Sequence, residues 1–298
     1  MLQETNTVEI YSIKNVAGTE VTFSPRSAAK IGPYFGYRWF FLGYTFNLNR
    51  LTSSKKKTEI DLSIYAPQLG VDLFYRDLGN EYRVRRVKLG KGIDTSPLKN
   101  ITFCGLSGKI SGFNLYYIFN HKKFSYPAAF SQSTVQRRSA GTVMAGVGYM
   151  RHSLDVDVAS FNKLLESRLQ RQLETAGIDT TFHSNRIRYT DFSLSGGYGY
   201  NWVFARNCLL AMSLSMAIAY KHSWSEVEER LFSFKDFSFH NINLDGIGRF
   251  GFVYNNMRWY CGASAVFHTY YYKKSKFSTN TTFGSVNIYI GFNFGRKK

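Results

Sequence analysis

Large apolar side chains alternate with small or polar ones along residues 191–204, DFSLSGGYGYNWVF. The apolar face of this segment is aromatic, and its members are Phe192, Leu194, Tyr198, Tyr200, Trp202 and Phe204. Residues 208–220, CLLAMSLSMAIAY, repeat the pattern, with large side chains opposite mostly Ala and Ser. A period of two residues predicts β-strands, and residues 205–207 between the segments predict a tight turn.

The same period recurs from Ala28 to the end of the chain. It is found in IGPYFGYRWFFLGYTFNL, KKTEIDLSIYA, LGVDLFYR, GFNLYYIFN, TVMAGVGYMRH, RFGFVY, WYCGASAVFHTYYY and VNIYIGFNF. These strands run about 9–15 residues, longer than the average globular strand and close to the roughly 9–11 residues of a tilted bilayer-spanning strand. The pattern predicts about 10–12 strands. The count is open within residues 69–106, where the segment EYRVRRV breaks the phase at Arg85 and Arg86.

The composition of the two strand faces indicates which medium each one meets. A soluble sandwich buries its large face and exposes long charged side chains, but the polar face over residues 191–220 is small and nearly uncharged. Small residues suit a narrow lumen, and large apolar residues suit lipid. We therefore predict an all-β fold, a closed antiparallel transmembrane β-barrel over residues 28–298, with a soluble lipocalin-like or sandwich binder as the alternative. The expected lipid-facing aromatic girdle is Tyr200, Trp202, Phe204, Tyr220, Trp224 and Trp259.

Two stretches depart from the strand pattern. Residues 1–27 have no strong period, so we expect an N-terminal lead that is periplasmic or tucked into the barrel. SFNKLLESRLQRQLETAG predicts a helix that Gly177 can end, and its apolar face is Phe161, Leu164, Leu165, Leu169 and Leu173. This helix lies in the longest connection, residues 155–186, which we expect to be an extracellular loop. Packing over the barrel mouth and docking of a partner are both open roles for it.

Composition and charge limit the location and the partners that we expect for the protein. No uncharged apolar run reaches the roughly 18 residues of a candidate helical membrane span. The net charge is +18, carried in short clusters between strands such as Lys55–Lys57, and solvated loops or phosphorylated headgroups at a membrane rim account for such clusters. We expect the lipid bilayer, including lipopolysaccharide, and other outer-membrane proteins as partners, and no nucleic acid. The start MLQETNTVEI is polar and is no signal peptide, so we expect a processed outer-membrane protein of a Gram-negative bacterium, with a cytoplasmic protein as the alternative.

Several segments resemble a known family. GPYFGYRWFFLGYTFNL, TEIDLSIYAPQLGVDLFYRDL, GFNLYYIFNHKKFSYPAAFSQS and the terminal NIYIGFNFG are similar to an uncharacterised family of Bacteroidota outer-membrane β-barrels, known as a domain of unknown function. The similarity covers about Ala28 to Phe294, and FSYPAAFSQS is its most particular segment. The resemblance implies an outer-membrane barrel and carries over no activity and no catalytic residue.

Charged residues of the early strands share one register, which places them on the lumen side. We expect a lumen charge network of Glu59, Asp61, Asp72, Arg76 and Arg83. Because acids and bases in a low-dielectric interior must pair, this set reads as a structural ion network, or else as a constriction that selects a solute.

The other motifs give little indication of a catalytic, cofactor or metal site. GIGRFG matches GxGxxG but runs into FVYNN, a strand, whereas the dinucleotide motif must open a helix. The three cysteines, Cys104, Cys208 and Cys261, form neither a disulfide framework nor a metal motif, so we expect no cofactor, no metal and no catalytic residue. His222 with Ser223 or Ser225 is the remaining candidate, for a lipid hydrolase at the membrane rim.

Together these patterns predict an integral outer-membrane barrel of structural or interaction type, an accessory subunit of an outer-membrane complex rather than an enzyme. A narrow porin-like passive pore for small solutes and a lipid-modifying outer-membrane enzyme are the alternatives. Conductance in planar bilayers separates the first alternative from the prediction, and a hydrolysis assay separates the second.

Overall fold

The protein is an antiparallel all-β structure with two α-helices among the residues described. The computed structural model describes residues 1–293 except 16–17, 26–28, 38–39, 44–45, 48–58, 78, 80–81, 90–92, 177–185, 224–240 and 275–276. The helices are α1 (Tyr126–Phe130) and α2 (Val158–Ala176). The strands are β1 (Leu2–Asn15), β2 (Glu20–Pro25), β3 (Ala29–Tyr37), β4 (Phe40–Gly43), β5 (Phe46–Asn47), β6 (Glu59–Tyr65), β7 (Leu69–Asp77), β8 (Tyr82–Lys88), β9 (Thr102–Phe103), β10 (Leu106–Ile118), β11 (Ala140–Val156), β12 (Arg186–Ala205), β13 (Cys208–Ser223), β14 (Ile242–Asn255), β15 (Trp259–Lys274) and β16 (Phe277–Phe292). The predicted all-β antiparallel fold is confirmed, and no described helix is long and apolar enough to cross a membrane.

Sequential strands lie next to each other through most of the sheet. From β10 to β16 each strand pairs with the next along the chain, and β7 and β6 continue the order beyond β10. The first strand, β1, then pairs with the last, β16, over its whole length, from Leu2 opposite Ile290 to Asn15 opposite Phe277. The other edge of β1 is shared, because β3 pairs with its first residues and β2 with its last.

The N-terminal segment therefore differs from the lead that we expected. Residues 2–15 form a full strand of the sheet. The period of two was weak there because the half-exposed and exposed positions of β1 include Glu4, Asn6 and Ser12, where other strands have large apolar residues. A strand with polar residues on both faces carries little alternation for a sequence pattern to detect.

The sheet curls around one of its faces. Asp72 on β7 contacts Arg249 on β14, and the ring of Phe74 on β7 lies 5.4 Å from that of Phe283 on β16, although several strands separate each pair in the sheet order. We call the enclosed face the inner face and the opposite one the outer face. Within the described residues, no hydrogen-bonded ladder joins the two ends of the sheet.

Large apolar side chains are exposed on the outer face, whereas some charged side chains are buried on the inner face. On the outer face the side chains of Leu194 and Leu214 are 68% and 64% exposed. On the inner face Lys221 is fully buried and Arg249 is 2% exposed. Water-facing sheets show the opposite arrangement, with apolar residues inside and charges outside.

Both ends of the sheet carry short connections, and the longest connection, which contains α2, lies at one of them. At one end, the turn end, β6–β7, β12–β13 and β14–β15 are joined by short turns. The φ angles of Asn207 (66°) and Met257 (72°) lie in the left-handed region that such turns use. The other end, the loop end, carries the connection with α2, and the helix predicted from the sequence is therefore present, beginning at Val158.

The phase break at Arg85 and Arg86 corresponds to a β-bulge. Residue 22 of β2 lies opposite Arg86, whereas residue 23 lies opposite Val84, so Arg85 is an additional residue in β8. Both arginines are exposed, and Val84 is fully buried. An extra residue resets the alternation of faces, which is why the pattern changes phase at this point.

Candidate functional site

The inner face is occupied by three groups of side chains, arranged from the turn end to the loop end. The first belongs to the connection between β10 and β11, which folds back against the inner face. We call residues 124–136, which include α1, the inner plug. Ser125 caps α1 by accepting a hydrogen bond from the backbone N–H of Ala128 (3.2 Å), and Pro127 occupies the first turn. Ser and Pro are favoured at these positions of a helix, so the local sequence supports this turn.

Side chains of four strands hold the inner plug in place. Asn201 of β12 donates to the carbonyl of Ser125 (3.0 Å) and to the Oε1 atom of Gln136 (2.8 Å). The hydroxyls of Tyr126 and Ser213 lie 2.8 Å apart. Two further bonds join Gln132 Nε2 to the Tyr289 hydroxyl (2.8 Å) and Asn255 Nδ2 to the Gln132 carbonyl (3.0 Å).

Glycines make room for the inner plug. A Cβ atom added to Gly251 would lie 3.4 Å from the carbonyl of Ala129 and from the ring of Phe130, and one added to Gly199 would lie 3.2 Å from the ring of Phe124. The sequence predicts that small residues face a narrow lumen. At Gly199 the neighbouring ring belongs to the inner plug.

The second group is ionic and lies between the ends. Asp72 accepts a hydrogen bond from Arg249 Nη2 and another from the Ser63 hydroxyl (2.8 Å). The Arg249 guanidinium also lies 4.8 Å from the ring centroid of Tyr116. Arg76 Nη1 lies 3.7 Å from Glu9 Oε1. These four charged residues are all buried, so their charges are compensated by partners rather than by solvent.

A second ionic cluster involves β12, β13 and β14. Lys221 Nζ lies 2.6 Å from Asp245 Oδ1 and 3.4 Å from Asp191 Oδ2, and it donates to the carbonyl of Tyr271 (2.7 Å). The rings of Tyr189 and Tyr270 flank the ammonium at 5.6 and 5.5 Å. One lysine between two carboxylates leaves this cluster with net negative charge when all three groups are ionised.

The third group is apolar and covers the loop end. Phe161, Leu165 and Leu169 of α2 are buried in one apolar cluster that includes side chains of β2, β8 and β9. The ring centroids of Phe23, Phe103 and Phe161 lie 5.5–5.8 Å apart. We call this cluster the outer cap. The helix begins where Asp157 accepts hydrogen bonds from the backbone N–H (3.0 Å) and the hydroxyl (2.6 Å) of Ser160, and these bonds lower the pKa of the Asp157 carboxyl.

The structure places the expected charge network as follows. It buries Asp72 and Arg76 on the same face of β7. Glu59 and Asp61 lie opposite Arg76 and Phe74 in the register of β6 and β7, and their side chains lie outside the described residues. Arg83 is half-buried and alternates with the buried Tyr82 and Val84, so it lies on the opposite face of β8 from these core residues and is not brought to the other members.

The partners of these charges were not predicted as such. Arg249 and Glu9, the partners of Asp72 and Arg76, lie on strands that are distant from β7 in the order of the sheet, and their pairing depends on the curl of the sheet. The cluster of Lys221 joins neighbouring strands, and Lys221 lies directly opposite Asp191 in the register of β12 and β13. The signal that could have found Arg249 is its register: it follows the same alternation as Ile247 and Gly251 within GIGRFG, a segment in the interior of β14. No helix begins there, so the segment lacks the context of a dinucleotide site.

The expected girdle residues are mostly exposed. Tyr200, Trp202, Phe204 and Trp259 belong to the exposed apolar set, and Tyr220 is half-buried. Trp224 lies outside the described residues.

The expected hydrolase residue His222 is half-buried at the end of β13, while the Ser223 side chain and Ser225 lie outside the described residues. Within the described part of the chain, no group of three or more His, Cys, Asp or Glu residues could hold a metal ion.

Comparison with known proteins identifies similar structures and the family of this chain. Solved structures similar to this chain include outer-membrane expressed OmpT of Vibrio cholerae (7% identity, 97% of this chain and 97% of that chain, TM-score 0.28). They also include the P. putida toluene transporter TodX (9%, 99% and 90%, 0.23) and an anion-selective porin from Comamonas acidovorans (8%, 97% and 99%, 0.19). These scores are low, so the case for a membrane barrel rests on this chain's own surface. No curated protein matches the sequence. The model of a family described as Domain of unknown function (DUF4421) matches residues 1–294, which confirms the resemblance to a family of unknown function, and the chain belongs to that family.

Proposed function

We propose that this chain is an integral β-barrel of the outer membrane of a Gram-negative bacterium, with a structural or interaction role. The observation that carries the proposal is the outer face of β12–β14, where large apolar side chains are more than one-third exposed in neighbouring rows. They are Phe192, Leu194, Tyr198, Tyr200, Trp202, Phe204, Met212, Leu214, Met216, Ile218, Leu244, Phe250 and Phe252. Soluble monomers rarely expose contiguous apolar patches beyond a few hundred Å². Lipid is the medium that stabilises such a face.

Closure of the barrel is part of the proposal. Backbone groups in hydrocarbon must all be paired within the protein, so a membrane-spanning sheet has no free edge. The contact of β4 with β6 supports closure, since β4 pairs with β3 and β3 pairs with β1. A path from β1 through β3, β4, β6, β7 and β10 to β16 fits the expected count of about 10–12 strands.

The ends of the barrel suggest its orientation. Outer-membrane barrels have short periplasmic turns and longer extracellular loops, so the turn end is assigned to the periplasm and the loop end, with α2, to the cell surface. Trp202, Phe204 and Trp259 then belong to the periplasmic aromatic girdle. Origin in Bacteroidota rests on the resemblance of the quoted segments alone.

The filled interior favours a structural or interaction role over a pore. Water and ions crossing the barrel would have to displace the inner plug, part the buried Asp72–Arg249 and Lys221–Asp245 pairs, and then pass the outer cap. Such a barrel offers its outer face, its loops and its turns to other molecules, which is the arrangement expected of an accessory subunit.

Two measurements test the proposal. The purified protein should need detergent, and folded and boiled samples should differ in mobility on gels; solubility without detergent would contradict the membrane assignment. In planar bilayers the wild type should show no channels, whereas deletion of residues 124–136 should produce steps of conductance. Ohmic conductance of the wild type would instead support the passive pore. Lipid hydrolysis that is lost in the His222→Ala variant would support the enzyme.

A further inference from the structure

Strand β1 carries a carboxylate on the outer face of the sheet. Gln3 and Tyr11 of this strand are buried on the inner face, whereas Leu2 and Ile10 are exposed on the outer face. Glu4 has the same register as Leu2 and Ile10 and is half-buried. Its side chain therefore belongs to the outer face, at a position between two exposed apolar residues of the same strand.

The neighbours of Glu4 on the adjacent strands are apolar as well. Ile288 of β16 lies directly opposite Glu4 on one side and is 57% exposed. Ile31 of β3 lies opposite Glu4 on the other side and is 36% exposed. A charged group in such surroundings is costly when the face meets lipid, because hydrocarbon offers it neither water nor a countercharge.

The protein itself compensates the charge of Glu4 only weakly. The Asn6 side chain donates one hydrogen bond to Glu4 Oε1 (3.3 Å), and within the described residues no lysine or arginine forms an ion pair with Glu4. The buried carboxylates of Asp72 and Asp245 on the inner face each have a cationic partner. A charged residue of a membrane-facing surface that has no countercharge in its own chain indicates a partner in another molecule.

Small side chains beyond β16 leave room for such a partner. The row of the sheet that contains Glu4 continues through Ile288 to Ala263, and the row that contains Asn6 reaches Ala265 of the same strand, β15. Small residues at a contact within the membrane allow the backbone of another protein to approach closely. The outer face of β12–β14 carries mostly large side chains instead, so this side of the barrel differs from the lipid-facing side.

We propose that the outer face around Glu4, formed by β1 with β3, β15 and β16, docks a second integral membrane protein that presents a lysine or arginine at the depth of Glu4. The inference rests on the proposed function, whose interaction role it assigns to one side of the barrel. The charge of Glu4 determines the chemistry of the partner, because an ion pair from which water and lipid headgroups are excluded is strong. A second copy of this chain suits the face less well, since a two-fold axis through it would bring two Glu4 carboxylates together.

Photocrosslinking of the full-length chain in membranes of the native host tests this surface. The crosslinking residue p-benzoylphenylalanine replaces Ile288, and the matched position is Leu214 of β13, which is 64% exposed. The Ile288 position should give one protein adduct, identified by mass spectrometry as a membrane protein with lysine or arginine in the crosslinked segment. The Leu214 position should not give this adduct.

Two charge variants test the role of the carboxylate at the Ile288 position. In Glu4→Gln the adduct yield should fall at least about tenfold, because the loss of one partner of a desolvated charge pair weakens a complex strongly. The control Glu20→Gln removes the same charge from β2 at the loop end, where Glu20 pairs with Lys88 on an exposed part of the surface. Its yield should change less than about twofold. Yields are compared at equal amounts of protein that shows the heat-dependent shift on gels.

The other outcomes overturn the inference. An adduct of two copies of this chain would show a homo-oligomer, and an adduct with lipid alone would show that a headgroup pairs with Glu4. A captured segment without lysine or arginine, an equal adduct from Leu214, a yield unchanged in Glu4→Gln, or no adduct at all would show that the carboxylate marks no docking surface. If the protein proves soluble without detergent, the proposed function itself fails; if it needs detergent but gives one of these results, only this inference fails.

Discussion

Replacement of Arg249 by methionine tests whether the buried ion pairs are required for the fold. The change keeps an apolar stem of similar length but removes the charge that compensates Asp72. Asp72 would then keep the Ser63 hydroxyl at 2.8 Å and the Tyr65 hydroxyl at 3.4 Å as its partners. Both are neutral, so the carboxylate would remain buried without a countercharge.

The expected loss follows from charge and burial. Two opposite charges about 4 Å apart attract by about 4 kcal/mol at an effective dielectric constant of about 20. Measured losses for removing one partner of a buried pair are about 3–5 kcal/mol. We expect the free energy of unfolding of Arg249→Met to fall by that amount. The double variant Asp72→Asn/Arg249→Met should recover at least about 2 kcal/mol of it, because its buried residues carry no unpaired charge.

The assay is urea unfolding in phospholipid vesicles, followed by the fluorescence of the four tryptophans and by the heat-dependent shift on gels. The control is Phe250→Leu, the next residue of β14, which lies on the outer face and should change stability by less than about 1 kcal/mol. The reasoning is refuted if Arg249→Met loses less than about 1 kcal/mol, or if the double variant is as unstable as the single one.

Further predictions concern the outer face and the outer cap. Leu214→Arg should lower stability in vesicles by about 2–4 kcal/mol, since the residue would place a charge in lipid; no loss in urea unfolding would argue against a lipid-facing position. Glu4→Leu should raise the urea midpoint of the purified barrel in vesicles, because it replaces a half-exposed carboxylate with an apolar group; a lower midpoint would show that the carboxylate stabilises the strand. Phe161→Ala should cost about 3–5 kcal/mol in the stability of the outer cap, measured as faster protease cleavage in α2, and unchanged cleavage would contradict the packing. Hydrogen bonds from Ser160 lower the pKa of Asp157, so their contribution to α2 should be present above the ordinary pKa of an aspartate and be lost as pH falls through the lowered value; protease resistance of α2 that is independent of pH in Asp157→Asn but not in the wild type checks this.

The local sequence pattern predicted most of the features that depend on a single strand or helix. The exposed stripe of β12 and β13, helix α2 and the phase break at Arg85 each follow from residues close together in the sequence. The strand β1 was not predicted, because Glu4 and Asn6 replace large residues on its outer face. Its identity depends on pairing with β16, which lies at the other end of the chain.

The candidate site was harder to predict from the sequence, for the same physical reason. Asp72 and Arg249 are 177 positions apart, and no periodicity relates residues on strands that meet only across a curled sheet. The inner plug shows the same limit. FSYPAAFSQS stood out as a segment, but its place inside the structure depends on Asn201, Ser213 and Tyr289, which belong to separate strands.

The pairing of the first strand with the last has a consequence for the order of folding. Gln3 donates a hydrogen bond to Asn287, 284 positions away, so this seam forms only after β16 has been made. Contacts between such distant residues carry a large loop-closure entropy and slow folding. The hairpins from β10 to β16 are local, and they can enclose the inner plug while the seam is still open. We expect the β1–β16 seam to form last, so a chain that lacks β1 would stall with β16 as an unpaired edge.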